Sequence, residues 1–129
     1  MATPIPEQRA LHPHELALAR WMLTHGIPEA GQYLSQLERA RVVARCPCGC
    51  ASIDFEVDGC AIPTGGLGIL GDYLYEDSDG VLAGAFIFER NSVLAGVEVY
   101  GLSGDAPRAL PTPESLRQLE ETEPRGRHP

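Results

Sequence analysis

Near Arg41 the apolar period of the chain falls from about 3.6 residues to 2, which divides a helical start from a stranded remainder. Pro13 suits the first position of a helix, and the pattern predicts a helix from there to about His25, closed by Gly26. Leu16, Ala19 and Leu23 form its apolar side, with Trp21 and Met22 one step round. Pro28 opens a second predicted helix to about Arg39, whose Ala30, Tyr33, Leu34 and Leu37 follow i, i+3, i+4, i+7. Beyond Arg41, residues 41–45 read as a strand. Ala51, Ile53, Phe55 and Val57 then alternate with Ser52, Asp54, Glu56 and Asp58, the pattern of a strand with one face buried. Further strands are predicted at about 69–76, 81–89 and 93–100. Asp77-Ser78-Asp79-Gly80 and Asn91-Ser92 supply the turns between them, and residues 59–68 form a loop. Gly84 and Gly96 fall inside strands, where an aromatic such as Phe86 or Phe88 is expected to cover them.

These elements predict an α+β domain in which two N-terminal helices pack on one face of an antiparallel meander sheet of about five strands. Residues 1–12 are expected to be a flexible arm, 13–121 the single domain and 122–129 a disordered tail. A chain of 129 residues suffices for one core.

Charge changes the picture. Residues 46–105 carry ten carboxylates and one arginine, Arg90, a net of −9; residues 1–45 carry +1 and residues 106–129 carry 0, giving −8 in all. Such a segment repels nucleic acid and anionic membrane and attracts basic partners. The longest apolar run falls far short of the ~20 residues that span a bilayer, and the N-terminus lacks the features of a secretory signal. A cytoplasmic protein is the expectation. Asp54, Glu56 and Asp58 alternate out of one predicted strand and Asp72 and Glu76 out of another, so these five are the candidate partner-binding residues, facing a basic protein.

Candidate chemistry centres on Cys46-Pro47-Cys48-Gly49-Cys50. Three thiols in five residues suit zinc or copper. The second ligand pair of a standard structural zinc site is missing, and Cys60 stands at the far end of the following strand, more than ~20 Å away. A fourth ligand would have to come from His12, His14, His25 or a second subunit. The competing reading is a hairpin turn with Gly49 at positive φ and with Cys46 and Cys50 facing each other. A nucleophilic Cys48 would need a cation to lower its pKa, and its surroundings are acidic apart from Arg45. Gly66-Leu67-Gly68-Ile69-Leu70-Gly71 matches a dinucleotide fingerprint, but a strand rather than a helix is predicted to follow. Asp77-Ser78-Asp79-Gly80 lacks the later ligands of a calcium loop. No nucleophile–base grouping emerges from residue order, and the reading leans away from an enzyme.

Asp77-x-Asp79-Gly80-Val81, the strand ending Val97-Glu98-Val99-Tyr100 and the Leu110-Pro111-x-Pro113 tail resemble small bacterial α+β proteins of the toxin-immunity kind, over about 50 residues. The resemblance implies no catalytic residues. Together these readings point to a non-enzymatic acidic protein-binding domain, an immunity or antagonist protein for a basic partner. The alternative is a small zinc-binding protein using Cys46, Cys48 and Cys50.

Overall fold

The structure is a computed structural model that describes residues 4–62, 64–102 and 104–118. Its elements in order are β1 (Ile5–Ala10), α1 (Pro13–Thr24), a 3₁₀ segment (Pro28–Tyr33), α2 (Leu34–Leu37), β2 (Ala40–Arg45), β3 (Ile53–Val57), β4 (Leu67–Glu76), β5 (Leu82–Arg90), β6 (Val93–Gly101), a 3₁₀ turn (Pro113–Ser115) and β7 (Arg117–Gln118). Among the described residues one antiparallel sheet of seven strands forms, in the order β1-β2-β3-β6-β5-β4-β7. The α+β class and the antiparallel sheet agree with the sequence.

Three expectations change. Seven strands replace five, because Ile5–Ala10, assigned to a loose arm, pairs with β2, and Arg117–Gln118 pairs with Tyr73 and Leu74. The second helix is one α-helical turn, Leu34–Leu37, behind a 3₁₀ segment. Gly31 stands inside that segment, and glycine there costs about 1 kcal/mol of helix stability relative to alanine. The strands also do not run as a simple meander: β3 pairs with β6 instead of β4. The expected tail at 122–129 lies outside the described residues.

Burial of apolar side chains explains how the layers meet. Leu18, Ala19, Met22 and Leu23 of α1 are fully buried, with Ala30 and Leu37 behind them, against Phe55, Tyr73, Ile87, Val97 and Val99 of the sheet. β4 bulges between Ile69 and Gly71. The Leu70 carbonyl at the bulge accepts the Ile27 N–H at 2.9 Å, which docks the chain after α1 onto the sheet. β1 is held to α1 by charge: Glu15 is only 6% exposed and takes Arg9 Nη1 and Nη2 at 2.8 and 2.9 Å and the His12 N–H at 2.7 Å. Burial would raise the Glu15 pKa, but the hydrogen bonds from Arg9 and His12 outweigh it and hold the carboxyl below its usual range.

The two halves of the sheet meet at a short seam, where β3 and β6 pair through Ile53–Val97 and Asp54–Gly96. A side chain at Gly96 would collide with the Ile53 carbonyl oxygen and crowd Phe88 Cζ at 3.1 Å and Asp54 Cα at 3.2 Å. The aromatic cover expected for Gly96 is therefore present, while Gly84 is covered by Tyr100 rather than by a phenylalanine of its own strand. Gly96→Ala should cost about 1–3 kcal/mol in urea unfolding through overpacking. Gly104→Ala, where nothing lies within 4 Å, should stay within about 0.5 kcal/mol of the parent. Equal effects would show that the seam is not tightly constrained.

Candidate functional site

Among the described residues the helices cover one face of the sheet only, and the strand alternation places a second set of side chains on the other. Asp54 lies opposite Gly96, Glu98 opposite Phe86, and Phe86 opposite Asp72, so one face carries Asp54, Glu98, Phe86 and Asp72 across β3, β6, β5 and β4. Phe86, Phe88 and Tyr100 form its floor, with ring centroids 5.6 Å apart for Phe86–Phe88 and 6.0 Å for Phe86–Tyr100. Tyr100 Oη donates to Asp72 Oδ1 at 2.8 Å. Phe88 is 3% exposed yet lies outside the main core. The loop from β3 to β4 passes over it, leaving a cavity of about 250 Å³ lined by Asp54, Ala61, Ile62, Phe88 and Arg90 among others. Arg90 lies over the Phe88 ring at 5.6 Å and donates to the Gly65 carbonyl at 2.7 Å.

This setting is unfavourable to ionised carboxylates. Burial raises the pKa of Asp54, which Arg90 opposes only in part. Burial likewise raises that of Asp72 against the hydrogen bond from Tyr100. Glu98 is the most open of the three. Its pKa is raised by loss of solvation and then by the Asp54 charge, with Arg90 opposing. The Tyr100 hydroxyl is pushed up in turn by burial and by Asp72.

The five acids singled out from the sequence do not share one fate. Asp54 and Asp72 stand on this face, half-buried. Glu56 follows Asp54 on the same side, 4.0 Å from Arg41 on β2. Glu76 is exposed at the end of β4, opposite Leu82. Asp58 has left the strand: it sits at φ 54° in the turn after β3, paired with Arg39 at 2.8 Å. Glu98, Phe86, Tyr100 and Arg90 were not singled out. The alternation in Val97-Glu98-Val99-Tyr100 already places Glu98 and Tyr100 on one side, but only the pairing of β6 with β3 and β5 brings them to Asp54 and Phe86.

The cysteine turn is the second constellation. Gly49 adopts φ 91°, as the hairpin reading required, and its N–H donates to the Cys46 carbonyl at 3.3 Å. The Sγ atoms of Cys46, Cys48 and Cys50 all lie within 4.8 Å of one another, so the group can hold a metal ion. The closest pair is Cys46–Cys48 at 2.8 Å rather than the expected Cys46–Cys50. Cys48 Sγ also accepts the Cys50 N–H at 3.3 Å, and Cys50 Sγ donates to Ser52 Oγ at 3.4 Å. The hydrogen bond between Cys46 and Cys48 pushes the Cys46 thiol up to about 11 and lowers that of Cys48, so the two titrate as a pair. Cys60 is exposed in a separate turn paired to Val57 and takes no part in this group. His12, His14 and Glu15 also converge, but both Glu15 oxygens are engaged by Arg9.

Other motifs resolve as structure. Asp77 Oδ1 accepts the N–H groups of Asp79 and Val81 at 2.9 and 3.0 Å, so that carboxylate builds its own turn. The glycine-rich segment runs directly into β4, with Glu89 against Gly68. No helix among the described residues is long and apolar enough to cross a membrane. Comparison with protein-family models, curated proteins and solved structures finds no match.

A carboxylate whose pKa rises on folding favours the folded state while protonated, and that benefit is lost as pH climbs from its unfolded value through its folded one. Asp54→Asn should therefore raise stability at pH 7 by up to about 1 kcal/mol. The gain over the parent should shrink to nothing as pH falls below about 4, where both carry a neutral group. Urea unfolding across this range checks it, and a loss of stability at pH 7 would mean that the charge supports the fold.

Proposed function

We propose that this protein binds a basic partner protein through the sheet face opposite its helices, with a partner arginine or lysine seated over Phe86 between Glu98 and Asp72. The observation carrying this reading is the pairing of an aromatic floor with carboxylates that folding leaves short of positive charge. Folding against one's own stability is the usual mark of a surface kept for binding. Arg90 over Phe88 is an internal example of the chemistry, a guanidinium on an aromatic face beside Asp54. Phe86 has no such cation over it among the described residues. A basic partner would add cation–π contact and discharge Glu98 and Asp72 together, while the net charge of −8 steers the encounter. Antagonism of a basic target, as by an immunity protein, is the role such a surface suits.

The test compares two triple charge reversals in a titration with a nine-residue arginine peptide at low salt. Asp54→Lys, Asp72→Lys and Glu98→Lys together should weaken binding at least tenfold. Asp79→Lys, Asp105→Lys and Glu114→Lys, equal in charge but away from the face, should change it less than threefold. Equal losses would reduce the attraction to net charge and end the proposal.

A second reading, a small zinc-binding protein, is favoured by the convergence of the Cys46, Cys48 and Cys50 sulfurs. Under it, protein purified without added metal carries about one thiophilic ion per chain by elemental analysis, lost in Cys48→Ser.

A further inference from the structure

The donors at the cysteine turn can be counted. Among the described residues, three sulfurs and no histidine or carboxylate make up the convergent group. Zinc in structural sites is four-coordinate and tetrahedral, so this set leaves it one ligand short. Monovalent copper is the ion that thiolates select without that demand, since it is satisfied by a trigonal set of three. We propose that Cys46, Cys48 and Cys50 form a three-coordinate, all-sulfur site for Cu(I). The inference rests on the metal-binding reading of this turn and adds the ion and its coordination number.

Three features of the turn suit that ion. Positive φ at Gly49 folds the chain back so that alternate residues present their sulfurs together. The Cys50 N–H already donates to Cys48 Sγ, the kind of backbone contact that fixes a metal-bound thiolate. Binding converts three thiols and Cu(I) into a tris-thiolate of charge −2 and releases three protons, with no change of oxidation state. Arg108 Nη1 reaches the Gly49 carbonyl at 3.5 Å, so one cation stands beside the turn, while Arg45, which lines the same cleft as Cys50, is paired with Glu7. Cys48 is exposed, which gives the ion a way in.

The experiment uses the full chain, reduced and free of oxygen, titrated with Cu(I) as its acetonitrile complex against a chromophoric Cu(I) chelator, with X-ray absorption on the loaded protein. The expected result is one copper per chain, a shell of three sulfurs, and a loss of affinity of at least tenfold in Cys48→Ser. Cys60→Ser should be unchanged within twofold, and the urea midpoint of Cys48→Ser should match the parent because that side chain is exposed. A nitrogen or oxygen donor in the shell, or an equal loss in Cys60→Ser, would overturn the three-sulfur site. A parallel titration with Zn(II) separates the two levels. Zinc bound one per chain while the chelator strips all copper would overturn this inference and leave metal binding standing. Retention of neither ion would overturn both.

Discussion

Everything in this fold depends on the close approach of β3 to β6 at Gly96. The chain builds two antiparallel ribbons, β1-β2-β3 and β6-β5-β4-β7, and joins them through two residue pairs. A residue without a Cβ lets the Ile53 carbonyl come in. With that contact made, Ile53, Phe55 and Val57 fall beneath α1 and α2 in one core with Ile87, Val97 and Val99. The same contact sets the opposite face, because it brings Asp54 alongside Phe88 and Glu98. Core and candidate binding surface are two consequences of one register.

That register forces a compromise on the outer face. Leaving β3 to reach β4, the chain must pass two strands, and it does so across Phe88, burying that ring while Phe86 and Tyr100 stay partly exposed. What stays uncovered is an aromatic strip flanked by acids whose ionisation works against folding. The counter-charges supplied from within are partial: Arg90 serves Asp54 and Glu98 from a distance, Arg41 reaches Glu56 at 4.0 Å, and Arg39 satisfies Asp58, which has left the face. Elsewhere the protein pairs buried charge thoroughly, as Arg9 and Glu15 show. The contrast between a charge neutralised on both oxygens and three left under-compensated argues that the outer face answers to something outside the chain.

The sequence disclosed what is local. The helix at Pro13, strands β2 to β6 within a residue or two, and the turns at Asp77–Gly80 and Asn91-Ser92 all follow from period and turn chemistry, with Asn91 and Ser92 at φ 55° and 66°. Ile5–Ala10 escaped because its cohesion lies in pairing with β2 and in the Arg9–Glu15 ion pair, neither of which leaves an apolar period. The 3₁₀ segment and α2 together keep Ala30 and Leu37 in the core without the single predicted helix. Asp58 was misplaced because alternation continues one residue beyond the strand that ends at Val57. Glu98, Phe86 and Tyr100 are separated from Asp54 by 32 to 46 positions, and only the pairing of β3 with β6 unites them. The cysteines were legible as a group from spacing alone, whereas which two sulfurs touch depends on the turn's backbone.

Site-resolved carboxyl titration by NMR bears most directly on the claim that this face is short of positive charge. In the free protein Asp54, Asp72 and Glu98 should titrate above the ordinary carboxylate range, and adding a saturating arginine peptide should bring all three down. Titration of the three at ordinary carboxylate values in the free protein, or no movement when the peptide is bound, would contradict the account.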